Sequence, residues 1–250
     1  MINSLKVTAV IPALNEEAAI GKVVEQLLNL SVLEQLEPQK LIDAVVVCDN
    51  GSTDSTGLVA ENAGAHVVKQ SIPGYGKACL TALAALPNNT DIVLFVDGDD
   101  SCKIEQAVSL LNGVANGDDL AIGSRTMGHM ESGALTVPQQ FGNWLAAKLI
   151  RFFWGVRITD LGPFRAIRAD TLRKINMQDE AFGWTVEMQI KAIQYGCEMN
   201  EYPVDSKVRI GQSKISGTVK GTIGAAKGIL GTIFKLRWRQ NAMNTADIQE

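Results

Sequence analysis

Ile92-Val93-Leu94-Phe95-Val96-Asp97-Gly98-Asp99-Asp100 is the stretch that decides the fold. Five consecutive apolar residues suit a strand buried on both faces, as in a parallel sheet. Carboxylates released at the carboxyl end of such a strand fall in the crevice where open α/β sheets bind ligands. Asp97 and Asp99 stand one residue apart on a turn loosened by Gly98, so both can approach one hard cation from the same side. Mg²⁺ or Mn²⁺ held by one or two carboxylates keeps positions free for phosphate oxygens. Read alone, the same residues also suit an acidic, solvated turn. Their neighbours decide.

Outward from that strand, strand and helix patterns alternate. Lys6–Ile11 reads as a buried strand stopped by Pro12, and Ile20, Val23, Val24, Leu27 and Leu28 recur at helical spacing. A strand over Leu41–Cys48, a helix over Thr53–Ala63, a short strand at His66–Val68 and a helix over Ala78–Leu86 follow. Beyond Val96 the pattern predicts a helix over Ile104–Val114 and a strand at Leu120–Ile122. The β-α-β-α order implies an α/β fold with a mainly parallel central sheet and helices on both faces. After Gly123 the order is less regular: helix near Phe141–Phe153, strand near Phe164–Ile167, helix over Thr185–Tyr195, strand near Met199–Val204, then a helical tail.

Four strand ends carry polar residues on one edge. They are Pro12-Ala13-Leu14-Asn15-Glu16-Glu17, Asp49-Asn50-Gly51-Ser52-Thr53-Asp54, Asp97–Asp100 and Gly123-Ser124-Arg125. Side by side, such turns can grip a base, ribose and diphosphate in sequence. The second segment alone would also serve as a turn with a Ser or Thr helix cap.

Together these motifs resemble the family 2 glycosyltransferases with the GT-A fold, from Ile11 to about Arg239. The later segments, Asp160-Leu161-Gly162-Pro163-Phe164-Arg165 and Arg209-Ile210-Gly211-Gln212-Ser213-Lys214, look closest to the polyprenyl-phosphate (dolichyl-phosphate-type) sugar transferases. The resemblance implies that Pro12, Ala13, Glu16 and Asp49 contact a nucleotide, and that Asp97 and Asp99 hold the metal, Mg²⁺ or Mn²⁺, on its diphosphate. It sets Arg125, Arg165, Arg209 and Lys214 toward that diphosphate and an acceptor phosphate, and the Gly74-Tyr75-Gly76-Lys77 loop near the nucleotide. It further implies an inverting, metal-dependent transfer of a hexose from a UDP- or GDP-sugar to a polyprenyl phosphate. Two readings stay open beside it: transfer to a hydroxyl of a lipid or small molecule with Glu187 as general base, or sugar-nucleotide binding without turnover. Glu187 also reads as a first-turn carboxylate favoured by the helix dipole. Many lipid-phosphate members follow D-x-D with a small or apolar residue and then Gln, where this chain has Asp100-Ser101.

The layout expected is a GT-A domain over residues 1–210, with a nucleotide-sugar half at 1–125 and an acceptor half at 126–210. A basic lid and amphipathic helix at 211–240 and a flexible tail at 241–250 complete it. At 250 residues, 46% hydrophobic and 20% charged, the chain has the composition of a soluble globular protein. Cys48, Cys79, Cys102 and Cys197 are widely spaced, and Met1–Lys6 lacks the basic and apolar regions of a secretory signal; both point to reduced thiols and a cytoplasmic setting. With only His66 and His129, a His-rich zinc site or a Ser-His-Asp triad has little material.

The net charge of −4 hides an asymmetry. Ser206–Ala246 holds eight basic residues and no acidic one, while the remainder has 15 basic and 27 acidic. That split excludes general nucleic-acid binding by the body and points the tail at an anionic surface, such as the inner face of a membrane. In the tail, Gly217, Gly221, Gly224, Gly228 and Gly231 form one helical stripe. Glycines inside a helix cost up to about 1 kcal/mol each, so a close contact should offset them. A second subunit, a membrane surface or the protein's own core would each supply it.

Overall fold

The computed structural model of the chain describes residues 4–34, 37–211 and 219–246. It opens with β1 (Val7–Ala13), α1 (Ile20–Leu28), β2 (Ser31–Glu34), β3 (Glu37–Lys40), β4 (Ala44–Asp49), α2 (Thr56–Asn62), β5 (His66–Lys69) and α3 (Tyr75–Ala84). It continues with β6 (Ile92–Phe95), a 3₁₀ turn (Ile104–Gln106), α4 (Ala107–Ala115), β7 (Leu120–Ser124), α5 (Val137–Trp154), β8 (Arg165–Arg168), α6 (Ala169–Ile175), α7 (Trp184–Gln194), β9 (Met199–Pro203) and α8 (Val219–Ala246).

Seven strands form one sheet in the order β5-β4-β1-β6-β8-β7-β9. β1 runs parallel to β4 and β6, β5 parallel to β4, and β9 parallel to β7. β8 alone is antiparallel, to β6 on one side and β7 on the other. The expected halves 1–125 and 126–210 are therefore not separable units. A strand from the second is wedged between two strands of the first.

Alternation along β1 explains the layers. Val7, Ala9, Ile11 and Ala13 pack with Ile20, Val23, Val24 and Leu27 of α1 and with Leu110, Leu111 and Val114 of α4. Val10 lies on the other face, in a cluster with Val46, Val93 and Phe95, Cys79 of α3, and Trp184 and Met188 of α7. A strand buried on both faces has no polar side to show, hence its continuous apolar run. Truncating a wholly buried residue such as Leu110 costs about 2–5 kcal/mol.

Some elements depart from the sequence reading. The strand expected from Leu41 begins at Ala44, because Leu41 and Ile42 close the base of a β2–β3 hairpin that forms a separate sheet. Leu41 donates its N–H to the Leu30 carbonyl at 3.0 Å and its side chain is buried, which mimics a strand's apolarity. α5 starts at Val137, behind a capping box made by Thr136 and Gln139. α8 continues to Ala246, into the segment read as a flexible tail. It packs on α5 and α7 through a third cluster that includes Ala146, Ile150, Val186, Ile190, Ile233 and Leu236. No helix among the described residues is long and apolar enough to cross a membrane.

Candidate active site

At the carboxyl edge of the sheet the first two polar loops are tied to each other. Asn15, held at φ +53°, accepts the Thr53 N–H at 2.8 Å and gives its own N–H to the Ser52 hydroxyl at 2.9 Å. The Glu16 N–H goes to the Thr56 hydroxyl at 2.8 Å, and Glu17 accepts from Ser55 N at 2.9 Å. Asp49 accepts the Ser52 N–H at 2.9 Å, which commits that oxygen to its own turn. Asn50, which the sequence reading passed over, donates to the carbonyls of Gln70 and Ile72 at 3.0 and 2.9 Å. Its own oxygen takes the Gly74 N–H at 2.8 Å. These bonds leave Pro12, Ala13, Glu16 and Asn50 on the wall of a cavity of about 240 Å³, together with Tyr75, Asp97, Gly98, Asp99 and Arg209. Asp49 does not line it.

The acidic turn is tightly packed. A Cβ on Gly98 would stand 3.0 Å from Ile20 Cδ1 and 3.3 Å from Ile11 Cγ2, so the glycine brings the turn down onto the core rather than loosening it. Asp97 accepts the Tyr75 hydroxyl at 3.1 Å. Burial first, and the neighbouring Asp99 charge second, push the Asp97 carboxyl up to about 7, against the pull of that hydrogen bond and of Arg209 and Arg125. Asp99 pairs with Arg209 at 2.7 Å, and the same guanidinium nitrogen lies 3.3 Å from Glu16. Asp100, at φ +58°, is clasped by Lys22 at 2.6 Å and Lys207 at 2.8 Å. Burial alone would raise its pKa, but the two ammonium groups hold it below the usual carboxylate range. It serves to anchor the 207–210 segment beyond β9, whose Lys207 and Ile210 amides also bond the carbonyls of Ser101 and Asp99.

The structure distributes the remaining expected residues unevenly. Arg125 reaches the crevice, fixed by a two-pronged pair with the buried Asp160 at 2.8 and 2.7 Å. Arg165 is core: its guanidinium donates to the carbonyls of Leu161, Gly162 and Thr185, and burial pulls its pKa down to about 10. It braces the 161–165 turn instead of facing a ligand. Glu187 likewise turns to structure. It is buried, accepts the N–H groups of Gln178 and Asp179, and pairs with Lys191 at 2.8 Å. Lys77 pairs with Glu180 at 3.1 Å and lines none of the cavities that meet at Asp97. In its loop Gly76 lets the 179–181 backbone lie flush on α3, since a Cβ there would collide with the Asp179 carbonyl oxygen. Lys214 and Gly217 lie outside the described residues.

A second cavity, about 280 Å³, opens between α5 and α8 and meets the first at Tyr75, Asp97, Phe182 and Arg209. Pro138, Gly142, Leu161, Ala226 and Ile229 give it a largely apolar wall, with Arg125 at its polar end. Of the glycine stripe, Gly224 and Gly228 face Phe182, at 3.7 and 3.2 Å from an added Cβ, so the chain itself supplies that close contact. This cavity had no motif to announce it. Its one sequence signal was the small-residue stripe of α8, which served equally well for other partners.

The comparisons with known proteins agree with this fold. The profile of glycosyl transferase family 2 matches residues 8–175. A low-salt glycan biosynthesis hexosyltransferase of Haloferax volcanii is 30% identical over 217 residues, which cover 86% of this chain and 51% of that protein. The chain thus spans about half the length of that relative. A dolichyl-phosphate hexose transferase of the same organism is 30% identical over 204 residues, 80% of this chain and 82% of the relative. Among solved structures, glucosyl-3-phosphoglycerate synthase from Mycobacterium tuberculosis, in complex with Mn²⁺, uridine diphosphate and phosphoglyceric acid, superposes with a TM-score of 0.72. It is 21% identical and covers 94% of this chain and 81% of its own, a likeness of fold. With its mostly parallel sheet, its polar strand ends and the profile match across most of its length, the chain belongs to glycosyl transferase family 2.

Proposed function

We propose that the protein transfers a hexose, with inversion, from a UDP- or GDP-sugar to a polyprenyl phosphate. The observation that carries this reading is the junction at Asp97 and Arg209. There a cavity whose wall carries Glu16, Asn50 and Asp99 beside Pro12 and Ala13 meets one, opening between α5 and α8, that ends at Arg125. The first suits a nucleoside diphosphate. The second suits a hydrocarbon chain with an anionic head. A dolichyl-phosphate hexose transferase among the relatives supports the same acceptor class.

The residues present fit a divalent metal. Asp97 and Asp99 are neighbouring carboxylates in a buried turn, and the raised pKa of Asp97 marks a place where added positive charge is favoured. Among the described residues no cluster of three or more metal-ligating side chains exists, so phosphate oxygens and water would complete the shell, as Mg²⁺ and Mn²⁺ sites allow. Bound there, the ion would neutralise charge on the leaving diphosphate. An acceptor phosphate oxygen then attacks the anomeric carbon as the bond to the diphosphate oxygen breaks and its electron pair leaves with the nucleotide. A phosphate is already anionic at neutral pH, so no base is required. Arg125, aimed by Asp160, and Arg209 carry the positive charge toward which both anions are drawn.

A hydroxyl acceptor with Glu187 as base finds no support in the geometry, because that carboxylate holds the 178–179 backbone. A lipid acceptor would set the enzyme against the inner face of a membrane from the cytoplasm. The test is transfer of labelled sugar from a panel of UDP- and GDP-sugars, with Mn²⁺ or chelator, to a short-chain prenyl phosphate and to the matching prenyl alcohol. Metal-dependent labelling of the phosphate alone is expected. Labelling of the alcohol alone would overturn the acceptor assignment, and donor binding without transfer or hydrolysis would overturn turnover.

A further inference from the structure

The outer face of α5 inverts the usual pattern of a surface helix. Val137, Phe141, Trp144, Lys148 and Phe152 recur at helical spacing and are all exposed, with Val137 at 79% and Phe152 at 80%, while Ala146 and Ile150 on the opposite face are buried. A helix packed on a core normally shows charged residues there. Contiguous exposed aromatics of this size mark an interaction surface. The ridge continues onto α8. Phe152 and Phe153 rings stand 5.1 Å apart and Phe153 and Phe234 5.7 Å, and one turn beyond Phe234 lies Trp238, 79% exposed.

The charge around this ridge has one sign. α5 and α8 contain no acidic residue. Lys148 and Arg151 lie exposed on α5, and Lys227, Lys235 and Arg239 on α8. The Lys148 ammonium sits 6.0 Å from the Trp144 ring centre, and the Arg237 guanidinium is 6.0 Å from that of Phe153. Aromatic rings interleaved with cations fit an anionic lipid surface, where rings enter the headgroup boundary and cations meet phosphates. The cavity ending at Arg125 opens between these same two helices.

We propose that the joined outer faces of α5 and α8 dock on an anionic bilayer, with α5 supplying the main aromatic anchor. Docking so would present the mouth of the apolar cavity to the lipid. The placement of the mouth rests on the lipid-acceptor reading above; the docking itself does not.

The test is co-sedimentation of the full chain with vesicles of phosphatidylcholine alone or of equimolar phosphatidylcholine and phosphatidylglycerol, at low and high salt. The comparison variant carries Phe141→Ser, Trp144→Ser and Phe152→Ser together, none of which touches either cavity. Wild type is expected to sediment with the anionic vesicles at low salt and to leave them at high salt. The variant should bind at least about tenfold more weakly, with donor-sugar binding intact. Equal sedimentation of variant and wild type would overturn the proposal. So would a wild-type dimer that the substitutions dissociate without any vesicle binding, which would assign the face to a second copy. Should the triple variant not fold, tryptophan emission of the Trp238→Phe protein decides. Quenching by brominated lipid in anionic vesicles supports docking through Trp144 on α5, and its absence overturns it. Transfer to a short-chain prenyl phosphate in solution separates the two readings. Vesicle binding without such transfer removes the acceptor assignment, and transfer without vesicle binding removes the docking.

Discussion

Around the proposed donor cavity, Asn15, Glu17 and Asn50 tie loops from three strands together through side-chain bonds to backbone groups. Around the proposed acceptor cavity, α5, α7 and α8 meet through a cluster that includes Ile150, Val186, Ile190, Ile233 and Leu236. One side is a hydrogen-bonded lattice and the other three packed helices. Hydrogen bonds fix positions within tenths of an ångström and fail sharply when a partner is lost. Apolar helix faces tolerate substitution of similar volume. The donor side should therefore be brittle to single polar changes, and the acceptor side forgiving unless the Arg125–Asp160 ion pair is touched.

The largest effect should come from the turn where the two sides meet. Asp99→Ala should lower transfer at least about a thousandfold, roughly 4 kcal/mol of transition-state stabilisation, while near-ultraviolet dichroism shows a folded protein. Activity within about threefold of wild type, under ~1 kcal/mol, would remove the metal assignment. Next, Asp160→Ala should destabilise the protein by about 3–5 kcal/mol in urea denaturation, because it strands the part-buried Arg125 charge. A small loss would mean that water replaces Asp160 readily and that the acceptor side lacks the rigid point claimed for it.

How legible this comparison is in the sequence follows from its physics. The central strands, the parallel sheet and the acidic turn could be read because a buried strand needs a continuous apolar run and a short turn keeps its carboxylates together. Asp97, Asp99, Arg125 and Arg209 do meet. Residue type alone could not separate Arg125 from Arg165, since both stand among glycine and proline and only the tertiary neighbours decide which guanidinium finds carbonyls inside the core. Glu187 misled for a similar reason. A carboxylate in the first turn of a helix serves a base or a backbone clamp equally well, and the 178–179 segment that claims it is fixed by the way α7 packs. A strand at Phe164–Ile167 could be read, but not its antiparallel place between β6 and β7, and the cavity between α5 and α8 left only the ambiguous small-residue stripe of α8.

A finer comparison sets Asn50→Ala against Ile150→Val. Asn50→Ala leaves the Gly74 N–H and two carbonyls without their partner and should cost about 1–3 kcal/mol, with a raised donor KM and little change in kcat. Ile150→Val, in the packed cluster, should cost about 0.5–1.5 kcal/mol and leave donor KM alone. Equal effects on donor KM would erase the distinction between the two walls.

The smallest effect is one of pH, measured with chelator present so that no cation answers for Asp97. Its carboxyl is raised to about 7 in the folded protein, against an ordinary value near 3.8. Between those values the folded state holds a proton that the unfolded chain has released. Stability therefore falls as pH rises through that window, and the loss is complete above about 7. Asp97→Asn removes the titration, so across the same window the variant should lose less stability than wild type, and above pH 7 it should melt a few degrees higher. Mn²⁺ should raise the wild-type midpoint at pH 7.5 and leave the variant's nearly unmoved, since ligand binding stabilises only the state that holds the site. Parallel melting curves for the two proteins across pH, with equal shifts on adding Mn²⁺, would show that the acidic turn is relaxed without a cation. The contrast between a strained polar centre and a forgiving apolar wall would then fail at its sharpest point.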